Sequence, residues 1–250
     1  MKTIVSFMMP LLAMAVLSAA PALAQDKSAF TPAQREEMKT LVRDYLLENP
    51  EVIADAIGKL QDREEAKKEQ ERMALIAERK EELVNPKEKT FLGNQQGDVT
   101  IVEFFDYNCG YCKSMFTDLI QLVKSDGRIR LVMKEFPILG PQSVTATKAA
   151  LASRNQRKYS EFHQALLVYK GGLNEAAINT VAKGVGLNVE KLQEDMKDTE
   201  LDKIIKDNRD LAQALGITGT PAMIIGDTFI GGAVGREKLS ELVAAARKKG

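Results

Sequence analysis

The sequence predicts an α/β domain that follows an α-helical N-terminal region. Residues 99–105 are β-branched and aromatic, which is typical of a buried strand, and a helix with an apolar face follows from Cys109 to about Val123. A second apolar run at residues 129–136 completes a strand, helix, strand unit, which implies two parallel strands joined by the helix. Residues 25–60 instead repeat apolar side chains at helical spacing.

The N-terminus has the composition of a secretory signal peptide. Lys2 precedes a nearly unbroken apolar run over residues 4–20, and residues 22–24 (Ala-Leu-Ala) form a small-residue cleavage site. We expect residues 1–24 to be removed on export. A retained membrane anchor is the alternative, but the run is short and contains Pro10, and no later segment approaches a transmembrane length.

The charge balance argues against one class of partner. Lysine and arginine together number 35, as do aspartate and glutamate, and no basic block occurs, so nucleic acid binding is disfavoured. Of the ten methionines, those near the N-terminus leave with the signal peptide and the others are scattered. No methionine-rich copper box therefore remains in the mature chain.

Residues 25–60 are predicted to form two short amphipathic helices. Residues 31–34 (Thr-Pro-Ala-Gln) form a capping box with proline at the first helical position, which predicts a helix over residues 32–47. The Asn-Pro pair at residues 49–50 starts the second helix. Because two short helices cannot bury their apolar stripes alone, we predict that this region self-associates; packing on the main domain is the alternative.

Residues 61–90 are predicted to form a charged helical linker. Almost no apolar face remains over residues 62–72, while opposite charges recur at i,i+4 spacing, so the stretch can be helical but buries little. We expect it to end at Asn85 and Pro86. A continuous helix over residues 50–84 would span about 50 Å, the length of a spacer.

Residues 91–250 are predicted to form the catalytic domain. A turn cluster at residues 94–98 opens it, and Ser125-Asp126-Gly127 leads into the second strand. Helix follows helix over about residues 143–215, which predicts an insertion that covers the sheet. The sequence then predicts N-caps at Asn174 and Asn188, a helix stop at Gly216, strands over residues 222–225 and 228–230, and a closing helix over residues 236–247.

Cys109 and Cys112 are the only cysteines and form a Cys-x-x-Cys at the start of a predicted helix. Residues at i and i+3 share one helix face, so the two sulfurs can lie close enough to bond. The free N–H groups and the dipole at a helix N-terminus favour a thiolate on Cys109, which is the form that attacks disulfides. Strand, Cys-x-x-Cys and helix together predict thiol–disulfide chemistry.

The cysteine pair has two structural alternatives. A structural disulfide across two intervening residues would stabilise the fold only weakly, because it removes little entropy from the unfolded chain. A zinc site normally needs four ligands, and the single histidine, His163, is about fifty positions away, so no metal site is predicted. A lone histidine inside a helix is more often structural than catalytic.

Residues 104–112 (Phe-Phe-Asp-Tyr-Asn-Cys-Gly-Tyr-Cys) and residues 219–222 (Gly-Thr-Pro-Ala) resemble the DsbA-like class of thioredoxin-fold proteins, which carries a helical insertion. The resemblance covers residues 99–250. It implies that Cys109 is the exposed nucleophile, that Cys112 is the resolving thiol, and that no cofactor is needed. It also implies that Pro221 is a cis-proline whose loop faces the cysteines and receives the substrate backbone. The substrate-binding positions are then Gly110, Tyr111, Thr220 and Pro221.

Glu103 matches the acidic residue that lies beneath the cysteine pair in this class. The resemblance implies that Glu103 assists proton transfer to and from Cys112. The alternative is a strand residue paired with a lysine, for which Lys134 is the candidate.

The N-terminal helices depart from simple DsbA-like oxidases. Together with residues 134–141 (Lys-Glu-Phe-Pro-Ile-Leu-Gly-Pro), they make the mature chain similar to the suppressor-of-copper-sensitivity ScsC proteins. This resemblance implies a periplasmic homotrimer, because some members of that family are trimeric disulfide isomerases. It further implies misfolded or reduced exported proteins as clients and a membrane thiol reductase that recycles the cysteines.

Two other functions remain open. A DsbA-like dithiol oxidase would use the same site in the reverse direction, although Thr220 before the proline resembles isomerases more than the oxidase. A copper(I)-binding protein is the alternative from another class, because two thiolates are soft ligands suited to that ion. The sequence lacks the additional methionine and histidine ligands expected of a dedicated carrier.

Overall fold

The computed structural model of the protein describes residues 30–249. Its internal contacts divide the chain into two units, with the boundary between Leu60 and Gln61. The predicted signal peptide, residues 1–24, lies outside the described residues.

The N-terminal unit contains helix α1, Pro32–Glu48, and the beginning of helix α2, Glu51–Glu78. The predicted capping box is present, since the Gln34 N–H donates to Thr31 Oγ1 at 3.3 Å and the Thr31 N–H donates to Gln34 Oε1 at 2.9 Å. No residue of α1 is buried. Exposed apolar side chains occur along both helices: Met38, Leu41, Val42, Tyr45, Val52, Ile53, Ile57 and Leu60.

The prediction that the charged linker buries little is wrong from Arg72 onward. Arg72 Nε donates to the Leu215 carbonyl at 3.0 Å, and its guanidinium lies 4.2 Å from the centre of the Phe229 ring. Ile76 of α2 and Leu83 of helix α3, Lys80–Val84, are buried in an apolar cluster on the sheet. The short apolar stripe begins only after the charged run, so the average composition of the segment concealed it.

The sheet has five strands in the order β1, β3, β2, β4, β5. The central strands β2 and β3 are parallel, as predicted, and every other pairing is antiparallel. The edge strand β1 was not predicted, because three residues are too few to display an alternating pattern. The strands are β1 Phe91–Gly93, β2 Val99–Phe105, β3 Ile129–Glu135, β4 Ala222–Ile225 and β5 Thr228–Gly231.

Helix α4, Gly110–Asp126, connects the two parallel strands. It runs into the predicted turn and ends at Gly127, whose φ of 69° is the left-handed conformation that glycine adopts without strain. The closing helix α10, Arg236–Lys249, packs beside it, and Arg247 donates to Asp98 and Asp126. These contacts hold the cysteine-bearing helix against one face of the sheet.

The predicted insertion consists of five α-helices and one short 3-10 helix. Asn174 and Asn188 cap helices as predicted, because their side chains accept from Ala177 N–H and Lys191 N–H. The first helix starts at Pro141, two residues before the predicted boundary, with proline at the first helical position. The helices are α5 Pro141–Ala152, 3-10 Ser153–Gln156, α6 Tyr159–Val168, α7 Glu175–Gly184, α8 Val189–Asp195 and α9 Thr199–Ala214.

The two faces of the sheet carry different clusters. Glu103 is paired in register with Met133, and its neighbour Phe104 is paired with Lys134. Because successive strand residues point to opposite faces, Glu103 lies on the face covered by α4, whereas Lys134 lies on the face covered by Ile76 and α9. The alternation of β2 therefore places a carboxyl group beneath the cysteines.

Candidate active site

The two cysteines occupy the first turn of α4. Cys109 is the N-cap residue, and its Sγ accepts from the Cys112 N–H at 3.4 Å. Both are free thiols and both are buried, with Cys109 at 5% exposure and Cys112 at 0%. The expectation that Cys109 is exposed is therefore wrong in this structure, because its Sγ lies against the Thr220 carbonyl. A sulfur at this position receives the unpaired backbone N–H groups and the positive end of the helix dipole, which stabilise a negative charge.

The loop before β4 faces Cys109. The Thr220–Pro221 peptide bond is cis, and the Thr220 carbonyl accepts from Cys109 Sγ at 3.3 Å. The structure thus brings Thr220 and Pro221, which are more than a hundred positions away in sequence, to the cysteine pair. This carbonyl is a backbone acceptor beside Cys109 Sγ.

Gly110 and Tyr111 lie between the cysteines at the outer surface. A Cβ built on Gly110 meets no atom within 4 Å, so this glycine is not required by close packing. Tyr111 is 72% exposed. It therefore presents an apolar ring to solvent beside the cysteine pair.

Glu103 is buried and has no lysine partner. Its Oε2 has no hydrogen-bond partner among the described residues, and burial raises the pKa of Glu103 to about 8. The alternative pairing with Lys134 is wrong, because that lysine lies on the other face of the sheet and pairs with Glu88 at 3.6 Å. At neutral pH the Glu103 carboxyl group is therefore mostly protonated.

The Cys112 thiol is coupled to Glu103. Burial, and next the negative charge of Glu103, raise the pKa of Cys112 well above its ordinary value. Since a charge on either group disfavours a charge on the other, we expect at most one of them to be ionised at a time. Glu103 is thus suited to exchange a proton with the inner thiol.

Asp106 is the residue of the site whose role the sequence did not reveal. Its Oδ1 accepts from Asn108 N–H and Ser143 Oγ, both at 2.7 Å, and its Oδ2 accepts from the N–H groups of Ile138 and Leu139 at 2.8 and 2.9 Å. It is fully buried and joins the loop before Cys109 to the loop after β3. An aspartate two residues before Asn108 is typical of an Asx turn, and this is the one local signal for it.

His163 is buried on α6 and does not contact either sulfur by a hydrogen bond. Its Nδ1 lies 2.9 Å from the Tyr107 hydroxyl, and burial lowers the pKa of His163 to about 3. The ring therefore stays neutral at physiological pH. This environment agrees with the structural interpretation of the histidine.

Glu103→Gln is expected to stabilise the reduced protein in a pH-dependent manner. The native state retains a proton that the unfolded chain loses, because the pKa of Glu103 is raised from 4.5 to about 8. Wild-type stability should fall as pH rises between these values, and the variant lacks this loss. We expect the variant to gain about 2–3 kcal/mol at pH 7 and almost nothing at pH 4.

Urea unfolding of the reduced proteins at pH 4, 6 and 8 tests this prediction. Glu190→Gln, at an exposed position, is the matched control and should change the free energy of unfolding little at any pH. A difference between Glu103→Gln and wild type that stays constant from pH 4 to pH 8 would contradict the raised pKa.

Two family models match separate parts of the chain. The DSBA-like thioredoxin domain matches residues 100–244, and the copper resistance protein ScsC N-terminal domain matches residues 34–67. A thioredoxin-like oxidoreductase from Silicibacter pomeroyi DSS-3 is 44% identical, with a TM-score of 0.65 over 67% of this chain and 97% of its own. Proteus mirabilis ScsC in a transitional conformation is 31% identical, with a TM-score of 0.66 over 89% of this chain and 99% of its own.

A relative of a different kind shares only part of its length. The Na(+)/H(+) antiporter NhaA 1 of Salinispora arenicola is 27% identical over 165 residues, which are 65% of this chain and 25% of the antiporter. The chain therefore spans about a quarter of that relative. Within residues 30–249, no helix has both the length and the apolar character needed to cross a membrane.

The matches confirm the predicted thioredoxin fold with a helical insertion, preceded by N-terminal helices. The chain belongs to the DsbA-like thioredoxin domain family of thiol–disulfide oxidoreductases, and it carries an N-terminal domain of the ScsC type.

Proposed function

We propose that the mature protein is a periplasmic, homotrimeric disulfide isomerase and reductase. The observation that carries this proposal is the combination, in one chain, of a thiol at a helix N-terminus and an exposed apolar stripe on a separate helical unit. The predicted signal peptide supports export to a compartment in which protein disulfides form. Misfolded or reduced exported proteins are the clients.

The reaction begins when the Cys109 thiolate attacks one sulfur of a wrong disulfide in a client. The S–S bond breaks, a mixed disulfide forms, and a client thiolate leaves. In isomerisation, a second client thiolate attacks the client sulfur that is bonded to Cys109. A new client disulfide forms, and Cys109 leaves as the thiolate. In reduction, Cys112 gives its proton to a base and attacks the Cys109 sulfur instead. The mixed disulfide breaks, the client sulfur leaves as a thiolate, and the enzyme is left with an intramolecular disulfide.

The burial of Cys112 favours the isomerisation branch. Its raised pKa keeps Cys112 as an unreactive thiol for most of the time, so the mixed disulfide persists and a client thiol has time to attack. Glu103 is the proposed proton acceptor when Cys112 does react, and it serves in the minor fraction of molecules in which its carboxyl group is ionised at neutral pH. The intramolecular disulfide then needs electrons from outside, which a membrane thiol reductase would supply.

The N-terminal helices supply the proposed trimer contact. Met38, Leu41, Val42 and Tyr45 follow one another at helical spacing on α1 and are exposed in the single chain. Covering this stripe with two further copies would remove apolar surface from water. Three thiol sites joined in this way would raise the effective concentration of Cys109 around one misfolded client.

Removing residues 25–60 is expected to yield a monomer with little isomerase activity. The cut belongs at Gln61, because a chain that starts near Lys87 would lose Ile76 and Leu83 from the core. Refolding of a scrambled disulfide protein should slow by at least about tenfold per active site, while oxidation of a small dithiol peptide continues. Light scattering gives the mass, and recovery of client activity gives the isomerase rate.

A full-length control distinguishes the effect of removing the helices from the effect of disrupting the proposed contact between chains. Leu41→Asp places a charge on the exposed stripe without shortening the chain, and it should reproduce the smaller mass. An unchanged mass in both variants would refute self-association through these helices. Equal isomerase and oxidase rates with and without residues 25–60 would favour the DsbA-like oxidase instead.

Copper(I) binding is tested on the same protein by titration. Two free thiols three positions apart are the soft ligands on which that function would depend. A stoichiometric, tight complex that disappears in Cys109→Ser and Cys112→Ser would support it. Isomerase activity without such a complex would reject copper as the principal role.

A further inference from the structure

A buried polar cluster next to the thiol site has no role in the reaction described above. It consists of Tyr107, Glu135, Thr147, Tyr159 and His163, and we call it the Tyr107 network. Each of these residues is at most 6% exposed. Buried polar groups of this kind must satisfy one another, so their contacts define a fixed arrangement.

Glu135 is the centre of the Tyr107 network. Its Oε1 accepts from the hydroxyls of Tyr107 and Tyr159, each at 3.0 Å, and its Oε2 accepts from Thr147 Oγ1 at 3.1 Å. The Tyr107 hydroxyl also lies 2.9 Å from His163 Nδ1. Tyr107 is therefore the tyrosine of the network that is hydrogen-bonded to both Glu135 and the histidine, whereas Tyr159 meets the histidine by ring stacking, with the ring centres 5.5 Å apart.

The Tyr107 hydroxyl is shared between two partners. It donates to Glu135 Oε1 at 3.0 Å, and in that arrangement His163 Nδ1–H donates to the Tyr107 oxygen. Burial raises the pKa of Glu135 to about 8, so at neutral pH its carboxyl group is mostly protonated and can supply the proton of one of these bonds. His163 thus holds Tyr107 from one side and Glu135 holds it from the other.

The network joins the helical insertion to the loop that ends at the nucleophile. Tyr107 lies two residues before Cys109, whereas His163 and Tyr159 belong to α6 and Thr147 belongs to α5. The Tyr107 ring also packs edge-on against Phe105 and His163. Asp106 restrains the same loop through a separate set of bonds, so the two sets together leave the loop little freedom.

We infer that Tyr107 and His163 are positioning residues for Cys109. By fixing the Tyr107 hydroxyl, they hold Cys109 Sγ against the first N–H groups of α4 and the Thr220 carbonyl. This inference rests on the proposed role of Cys109 as the nucleophile and extends it to the helical insertion. It assigns a reason for the insertion to carry a buried histidine.

The chain offers a matched pair of substitutions. Tyr107→Phe and Tyr159→Phe each remove one hydroxyl that lies 3.0 Å from the same Glu135 oxygen, and each keeps the aromatic ring. A purely structural network would make the two variants equivalent in thiol reactivity. Only the Tyr107 variant releases the loop that carries Cys109.

The experiment measures the rate of Cys109 alkylation by iodoacetamide across pH 5–9 in the reduced full-length chain, with the modified residue identified by mass spectrometry. Tyr107→Phe should slow alkylation at pH 6 by about five- to tenfold, and Tyr159→Phe should leave it within about twofold. His163→Leu should behave like Tyr107→Phe. His163→Asn keeps an amide near the Nδ1 position and should restore most of the rate.

Three outcomes decide the inference. Equal rates in the two tyrosine variants, whether both slowed or both unchanged, would overturn the positioning role alone. Failure of His163→Leu to slow alkylation would also overturn it. If wild-type Cys109 reacts no faster than Cys112, the proposed nucleophile is wrong and the inference falls with it.

Discussion

Cys109→Ser is expected to abolish thiol–disulfide exchange, with a loss of about 10³-fold or more in the rate of client reduction. The serine hydroxyl does not ionise near neutral pH and cannot form a mixed disulfide. Cys112 cannot replace it, because that thiol is fully buried and its pKa is raised. Reduction of a model disulfide protein, followed by gel electrophoresis without reductant, measures the loss.

Cys112→Ser is the matched variant, since it removes the other thiol and leaves the outer one in place. It should still attack clients and should accumulate the mixed disulfide, because the step that resolves it is missing. Isomerisation resolved by client thiols should survive in this variant. If Cys112→Ser fails to form mixed disulfides while Cys109→Ser still forms them, the two thiols have the opposite roles.

Asp106→Ala is expected to lower the free energy of unfolding by about 3–5 kcal/mol. The substitution leaves four buried or half-buried donors without their acceptor: one from the cysteine loop, two from the loop after β3 and one from the first turn of α5. The cost of unpaired donors exceeds the loss of the carboxylate itself. The orphaned donors are Asn108 N–H, Ile138 N–H, Leu139 N–H and Ser143 Oγ–H.

Urea unfolding of the reduced protein measures the decrease in the free energy of unfolding, and two further variants serve as controls. Asp62→Ala, at an exposed helical position, should stay within about 0.5 kcal/mol of wild type. Asp106→Asn keeps one oxygen and should lose less than Asp106→Ala. A loss below about 1 kcal/mol in Asp106→Ala would mean that the four donors find other partners, and Asp106 would then not be what fixes the loop.

The parts of the fold that depend on local patterns were predictable. The parallel strands, the cysteine helix and the caps at Asn174 and Asn188 follow from spacing within a few residues, and all are present. Strand β1 escaped prediction because its three residues pair with β3 nearly forty positions later. A strand of three residues is too short to show the alternation of apolar and polar residues from which a strand is predicted.

The site was predictable only where a motif marks it. The Cys-x-x-Cys and the Thr-Pro pair are recognisable as sequence motifs. Asp106 and Tyr107 are not, because their hydrogen-bond partners lie at residues 135–163 and no sequence spacing relates these residues to them. The alternation of side chains along a strand explains why the predicted pairing of Glu103 with Lys134 is wrong. Glu103 and Lys134 are aligned one residue out of register, and this single step puts them on opposite faces of the sheet.

The contacts of Arg72 divide the predicted linker into two parts that differ in the free energy needed to bend them. Residues 61–71 are charged and mostly exposed, so bending or unwinding there breaks only helical hydrogen bonds and weak surface ion pairs. Beyond Arg72, the same motion would pull Ile76 and Leu83 out of the sheet cluster, at about 2 kcal/mol for each side chain. We therefore expect any bending of α2 to occur before Arg72, because α2 from Arg72 onward and α3 are packed on the catalytic sheet.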